Sequence, residues 1–197
     1  MLRAKVNQLD AILFTHEHND HIIGLDDVRP FNFRQKKDMV VYATPAVERA
    51  LLKRFDYVFE SNLYPGAPRV RIVSIDASPF HIGETPIKPI AFLHGQVPVL
   101  GFRIGNITYI TDMKTMPAEE KLKLAGTDTL IVNALHHKAH HSHLNVEEAL
   151  AFIEEIGPRQ AYLTHVSHSM GLYETMNPQL PAGVGLAYDG LVVQGEL

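Results

Sequence analysis

The sequence predicts an α/β fold in which a sheet lies between helices, and three observations carry that reading. Short runs rich in β-branched and aromatic residues recur between Gly, Pro, Asn and Asp. Several of these runs are continuously apolar rather than alternating, the pattern of strands covered on both faces. Helical stretches fall between them, and one, 145–156, carries both a start and a stop signal.

Taken in order, the expected strands are AILFT (11–15), MVVYA (39–43), VRIVSI (70–75), TPIKPIAFLH (85–94), VLGFRI (99–104), ITYITD (107–112), TLIVNAL (129–135), AYLTHV (161–166) and LAYDGLVV (186–193). The expected helices are 45–59, opened by Pro45 at a first-turn position, 117–125, opened by Pro117, and 145–156. In the last, Val146, Ala149, Leu150, Ile153 and Ile156 recur at helical spacing. Asn145 with Glu148 makes a capping-box pattern, and Gly157-Pro158 ends the helix. No repeat or low-complexity linker interrupts the series, so one domain spanning 1–197 is expected.

Composition narrows the chemistry. At 197 residues and 46% hydrophobic, the chain is long enough for one well-buried core. With no cysteine it can form neither a disulfide nor a thiolate-ligated zinc site, so any metal must be held by nitrogen and oxygen. The opening MLRAKVNQLD lacks the apolar middle of a signal peptide, and no apolar run approaches a membrane-spanning length. A cytoplasmic protein without a membrane partner is the expectation. A formal charge of -4 and the absence of a long Lys/Arg run argue against a large nucleic-acid surface.

The stretch LFTHEHNDHIIGLDD places His16, His18, Asp20 and His21 within six positions of one another, directly after the first apolar run. If Thr15 ends a strand, these residues occupy the loop at its C-terminal end, where α/β sheets present their chemical groups. His16 and His18 reach one point from an extended backbone, because alternate side chains share a side, whereas Asp20 and His21 lie one turn further and face a second point. Two adjacent metal sites are expected. Asp26 and Asp27 read instead as solvated turn residues and His81, in PFHIG, as a surface residue. Asp112 has an alternative role as a cap for the segment before Pro117.

The H-x-H-x-D-H block resembles the metallo-β-lactamase-fold hydrolases, and FLHGQVPVLGFRI with His94, YITDMK with Asp112 and YLTHVSH with His165 resemble, in order, that family's remaining ligand blocks. The resemblance implies an αββα sandwich and extends over nearly the whole chain. Carried over by position, it implies that His16, His18 and His94 hold a first metal, Asp20, His21 and His165 a second, and Asp112 bridges both. Within the family the chain is most similar to the branch of the phosphoribosyl cyclic phosphate phosphodiesterase, with the tRNA 3′-processing endonucleases as more distant relatives.

A second dense feature, NALHHKAHHSHLN, holds five histidines between His136 and His143 just before the capped helix. His143 resembles a catalytic histidine of the phosphodiesterase branch, either a proton donor to the leaving oxygen or a ligand of the transition-state phosphoryl group, and a pKa near neutrality suits a donor. It is grouped with Asp20 as a catalytic residue. His136, His137, His140 and His141 read as rim or structural residues, with a flexible polar loop or an accessory metal tract as alternatives. His168 occupies the position of a histidine that joins cysteines in a separate zinc site of the relatives, and this chain has no cysteine. The family also places strands and a glycine-rich turn before its first motif, whereas only fifteen residues precede His16. The expectation is therefore a fold lacking its N-terminal strands, with an exposed sheet edge that favours a homodimer.

The implied activity is dinuclear hydrolysis of a small cyclic or linear phosphodiester through a metal-bridging hydroxide. Two ions about 3.5–4 Å apart lower the pKa of a shared water to near 7 and stabilise charge on an in-line path. Zinc or manganese fits a mixed imidazole and carboxylate set. A thioester or lactam hydrolase of the same fold, a tRNA-processing nuclease and a non-catalytic metal-binding module are the alternatives.

Overall fold

The computed structural model describes residues 4–62 and 64–197. The chain divides into two compact units, Met1–Asp76 and Ala77–Leu197.

In the first unit β1 (Ile12–Leu13), β2 (Met39–Ala43) and β3 (Val70–Ser74) form a parallel sheet in that order. Met39, Val41 and Ala43 are buried while Val40 and Tyr42 are half-buried, so β2 alternates rather than being covered evenly. The helices are α1 (Asn19–Ile22), α2 (Arg29–Gln35), α3 (Pro45–Arg54) and α4 (Asp56–Phe59). α3 begins where its residues dictate: Pro45 fixes the first turn, and the Thr44 hydroxyl accepts the Val47 N–H at 3.4 Å. Val47, Ala50 and Leu51 then bury one stripe in the core with Val41 and Ala43. The expected single helix over 45–59 is interrupted at Phe55, which leaves helical geometry (φ -123°) and is itself buried, as is Val58 of α4. A 3-10 helix at Ile23–Val28 and both flanking helices were not anticipated. Ile22, Leu25 and Val28 are buried at three-residue intervals, the period of a 3-10 rather than an α-helix.

The second unit holds β4 (Phe80–Ile82), β5 (Thr85–His94), β6 (Val97–Ile104), β7 (Ile107–Ile110), β8 (Thr129–Asn133), β9 (Gln160–Thr164) and β10 (Val184–Leu186). They form one sheet in the order β10-β9-β8-β7-β6-β5-β4, antiparallel from β4 to β7 and parallel from β7 to β10. Central β8 is buried along nearly its whole length, as its continuous apolar run predicts. The helices are α5 (Ala118–Lys121), α6 (Val146–Ile156) and α7 (Tyr173–Met176). Pro117 precedes α5 instead of opening it, and residues 122–124 continue as a 3-10 turn. The strand expected over 186–193 ends at Leu186, because Tyr188 and Leu191 close a turn in which Gly190 has φ +96°. β4 was not read from the sequence. No helix among the described residues is long and apolar enough to cross a membrane.

α6 follows its sequence signals residue by residue. The Asn145 side chain accepts the Glu148 N–H at 2.8 Å, the Glu148 carboxylate accepts the Asn145 N–H at 2.9 Å, and Gly157 ends the helix at φ +68°. Val146, Ala149, Phe152 and Ile153 join Leu130, Val132 and Leu163 in one apolar core. Asn145→Ala is expected to destabilise the protein by about 1 kcal/mol. Urea unfolding checks this, and a change within a few tenths of a kcal/mol would remove the cap from the list of stabilising contacts.

Candidate metal centre

In the first unit, the chain leaves β1 in extended form and turns into α1, with His18 in β geometry (φ -65°, ψ 146°) just before the helix. His16 lies on the connection between β1 and α1, and Asp20 and His21 lie within α1. The structure gathers the three imidazoles: ring centres are 4.6 Å apart for His16–His18 and 4.3 Å for His16–His21. His16 is fully buried, with Nδ1 3.1 Å from the Thr15 hydroxyl. Asp20 lies 3.2 Å from His21 Nε2 and is mostly exposed. Asp26 is exposed, as expected, but also accepts a 2.5 Å hydrogen bond from the Tyr57 hydroxyl. Burial together with that carboxylate pushes Tyr57 up to about 12.

In the second unit, His94, Asp112, His143 and His165 converge from four segments. His94 ends β5, and Gly95 (φ +61°) turns the hairpin so closely past Ser142 that a Cβ there would lie 3.3 Å from the serine Cβ. His94 Nδ1 donates to the Ser142 carbonyl at 2.7 Å. A carbonyl only accepts, so Nδ1 carries the proton and Nε2 of the neutral ring keeps the lone pair a metal requires.

Asp112 and His165 follow β7 and β9, and both adopt left-handed backbone, with φ +60° and +54°. Such geometry in a residue other than glycine persists only where the surroundings enforce it. The Asp112 carboxylate is 2% exposed. His143 Nε2 lies 2.8 Å and His165 Nε2 3.1 Å from its Oδ1, and the Thr111 hydroxyl donates to Oδ2 at 2.8 Å. The alternative role for Asp112, a cap before Pro117, finds no support in these bonds.

His94, Asp112 and His143 each offer one ligand atom within 4.8 Å of the others. A buried carboxylate beside imidazoles, one with its tautomer fixed by a carbonyl, is a donor set that fits a divalent metal ion.

The histidine-rich segment is ordered by backbone bonds. Leu135 N–H donates to Leu144 C=O, Leu144 N–H to Met113 C=O and Val146 N–H to His136 C=O. His140 also differs from a bystander on the rim: its Nδ1 lies 3.2 Å from His143 Nδ1 and 3.3 Å from the Ser142 N–H. Burial, then the imidazoles of His141, His143, His136 and His94, hold His140 below the ordinary histidine range. His81 is exposed on β4, and His168 opens a 3-10 turn at His168–Met170. Ser142, Thr111 and Asn133 escaped the sequence reading. A buried asparagine ending the apolar run TLIVN was the one available signal.

The sequence pattern of the β-lactamase superfamily domain matches residues 1–166. The chain belongs to that superfamily. A diphosphatase of the PhnP family has a solved structure that is 35% identical, with a TM-score of 0.87, over 96% of this chain and 72% of that one. YhfI of Bacillus subtilis, a metallo-β-lactamase fold protein, is 20% identical with a TM-score of 0.72 over 93% of this chain and 76% of its own. The short form of human tRNase Z is 18% identical with a TM-score of 0.67 over 98% and 81%. At these lower identities the likeness shows the fold alone. An octanoyltransferase of Porphyromonas gingivalis strain W83 is 37% identical over 192 residues, 96% of this chain and 39% of that protein. The chain thus spans about two fifths of the length of that curated relative. The fold is α/β of the metallo-β-lactamase type, the fold of metal-dependent hydrolases.

Proposed function

We propose that the chain is a single metal-dependent hydrolase domain, cytoplasmic, acting on a small phosphodiester or diphosphate rather than on nucleic acid, with a homodimer as its expected assembly. The observation that carries this reading is the second unit's cluster around Asp112, in which a buried carboxylate meets the candidate ligands His94 and His165 and the candidate acid His143. The diphosphatase likeness at 35% identity supplies the phosphoryl direction.

In this reading His16, His18, Asp20, His21, His94, Asp112 and His165 hold two divalent ions, zinc or manganese, and Asp20 also counts among the catalytic groups. Bound there, the ions supply Lewis-acid polarisation of a phosphoryl oxygen and an activated water. The chain's own residues do the rest. The Ser142 carbonyl keeps His94 in one tautomer and ring orientation. His143 faces the carboxylate, with Nε2 2.8 Å from Asp112 Oδ1. An imidazole at that place beside the assigned ligands supports the donor role toward a leaving oxygen.

A substrate comparison tests the proposal. Protein loaded with zinc or manganese is expected to hydrolyse bis-p-nitrophenyl phosphate or a diphosphate diester, to lose that activity to a chelator and to regain it with metal. Turnover of an acyl thioester alone would favour the acyl-hydrolase alternative, and cleavage of a precursor tRNA the nuclease. Bound metal without turnover of any of them would leave a non-catalytic metal-binding module.

A further inference from the structure

Two candidate metal ligands stand in left-handed backbone on either side of one strand, and the end of that strand holds both. β7 and β9 each pair in parallel with β8, with Ile110 opposite Val132 and Thr164 opposite Asn133. On the β9 side the ladder continues through backbone alone: Ala134 N–H donates to Thr164 C=O at 3.0 Å, and Ser167 N–H to Leu135 C=O at 2.8 Å. These two bonds bracket His165. On the β7 side the regular pairing stops at Ile110, and a side chain takes over. Asn133, fully buried, accepts the Met113 N–H at 2.7 Å and donates from Nδ2 to the Met113 C=O at 3.0 Å.

A carboxamide is the side-chain copy of a peptide, with one acceptor and a donor set side by side. Asn133 thus replaces the missing stretch of ladder and grips the residue immediately after Asp112. The same Met113 carbonyl also accepts the Leu144 N–H at 3.0 Å, next to His143.

We propose that Asn133 is a positioning residue that fixes the left-handed backbone of Asp112, and through it the aim of the carboxylate into the metal centre. The inference rests on the ligand role given to Asp112 in the proposed function. Asn133→Ala leaves the buried Met113 N–H without its acceptor and frees the peptide to leave the conformation that points the carboxylate at its partners.

The test reads metal affinity, which a general loss of stability does not selectively change. Purified wild-type protein, Asn133→Ala and Ile153→Ala are titrated with zinc against a competing chelator, and their melting temperatures are recorded. Ile153 is buried in α6, so its truncation supplies a loss of stability elsewhere in the same unit. Asn133→Ala is expected to weaken zinc binding by roughly 10–100-fold, the usual effect of removing a group that orients a ligand, with Ile153→Ala retaining wild-type affinity. If the alanine variant does not fold, the isosteric Asn133→Asp answers the same question, since it presents an oxygen to the Met113 carbonyl in place of the N–H. Wild-type affinity in the Asn133 variant, or equal weakening in Ile153→Ala, would overturn the inference while leaving the proposed function standing. A wild-type protein that binds neither zinc nor manganese would overturn both.

Discussion

Replacing His143 with alanine is expected to lower kcat by roughly 10²–10⁴ on phosphodiesters with poor leaving groups, the usual range for losing a positioned acid, and by far less on p-nitrophenyl esters. Nitrophenolate departs without a proton, so the contrast between substrates isolates proton donation from binding or misfolding. The geometry places the ring among the candidate ligands: Nε2 lies 2.8 Å from Asp112 Oδ1, with the ring 4.3 Å from that of His94 and stacked 5.0 Å from that of His165. Steady-state kinetics on both substrate classes, with metal content measured on the same samples, decide it. Equal losses on good and poor leaving groups point to phosphoryl binding, and a fall in metal content makes His143 a ligand. No loss on either returns it to a structural role. Sequence alone offers His140 as a control, but its 3.2 Å approach to His143 disqualifies it, and the exposed His81 replaces it.

Much of the architecture could be read from residue patterns because local signals and burial agreed. Met39–Ala43 and Thr85–His94 are strands with the boundaries their composition predicts, and Asn145, Glu148 and Gly157 delimit α6 as written. The errors fall where burial or a tight turn overrode the apparent pattern. Phe55 is buried and breaks an apparently continuous helix, and a turn at Gly190 stops a run of β-formers. Among the candidate ligands of the first unit, spacing alone placed Asp20 and His21 on the turn that follows His18. It also placed His94, Asp112 and His165 at or just beyond strand ends. What spacing cannot encode is backbone geometry created by neighbours. The left-handed conformations of Asp112 and His165, the Asn133 grip on Met113 and the Ser142 carbonyl behind His94 depend on segments up to 48 residues apart.

Asp112→Ala is expected to have the largest effect on metal content. Its carboxylate is buried and offers two oxygens, and its negative charge offsets the repulsion between two cations, so no other single residue is assigned to both ions. The change also strips His143, His165 and Thr111 of the acceptor they share. His81→Ala, on the exposed face of β4, is expected to keep wild-type metal content. The direct measurement is elemental analysis of wild-type, Asp112→Ala and His81→Ala protein purified with zinc or manganese present. About two ions per chain in the wild type and the His81 variant, with most of both lost from Asp112→Ala, is the expected result. A single ion per chain would refute the two-metal arrangement, and wild-type protein with no bound metal would contradict the central claim.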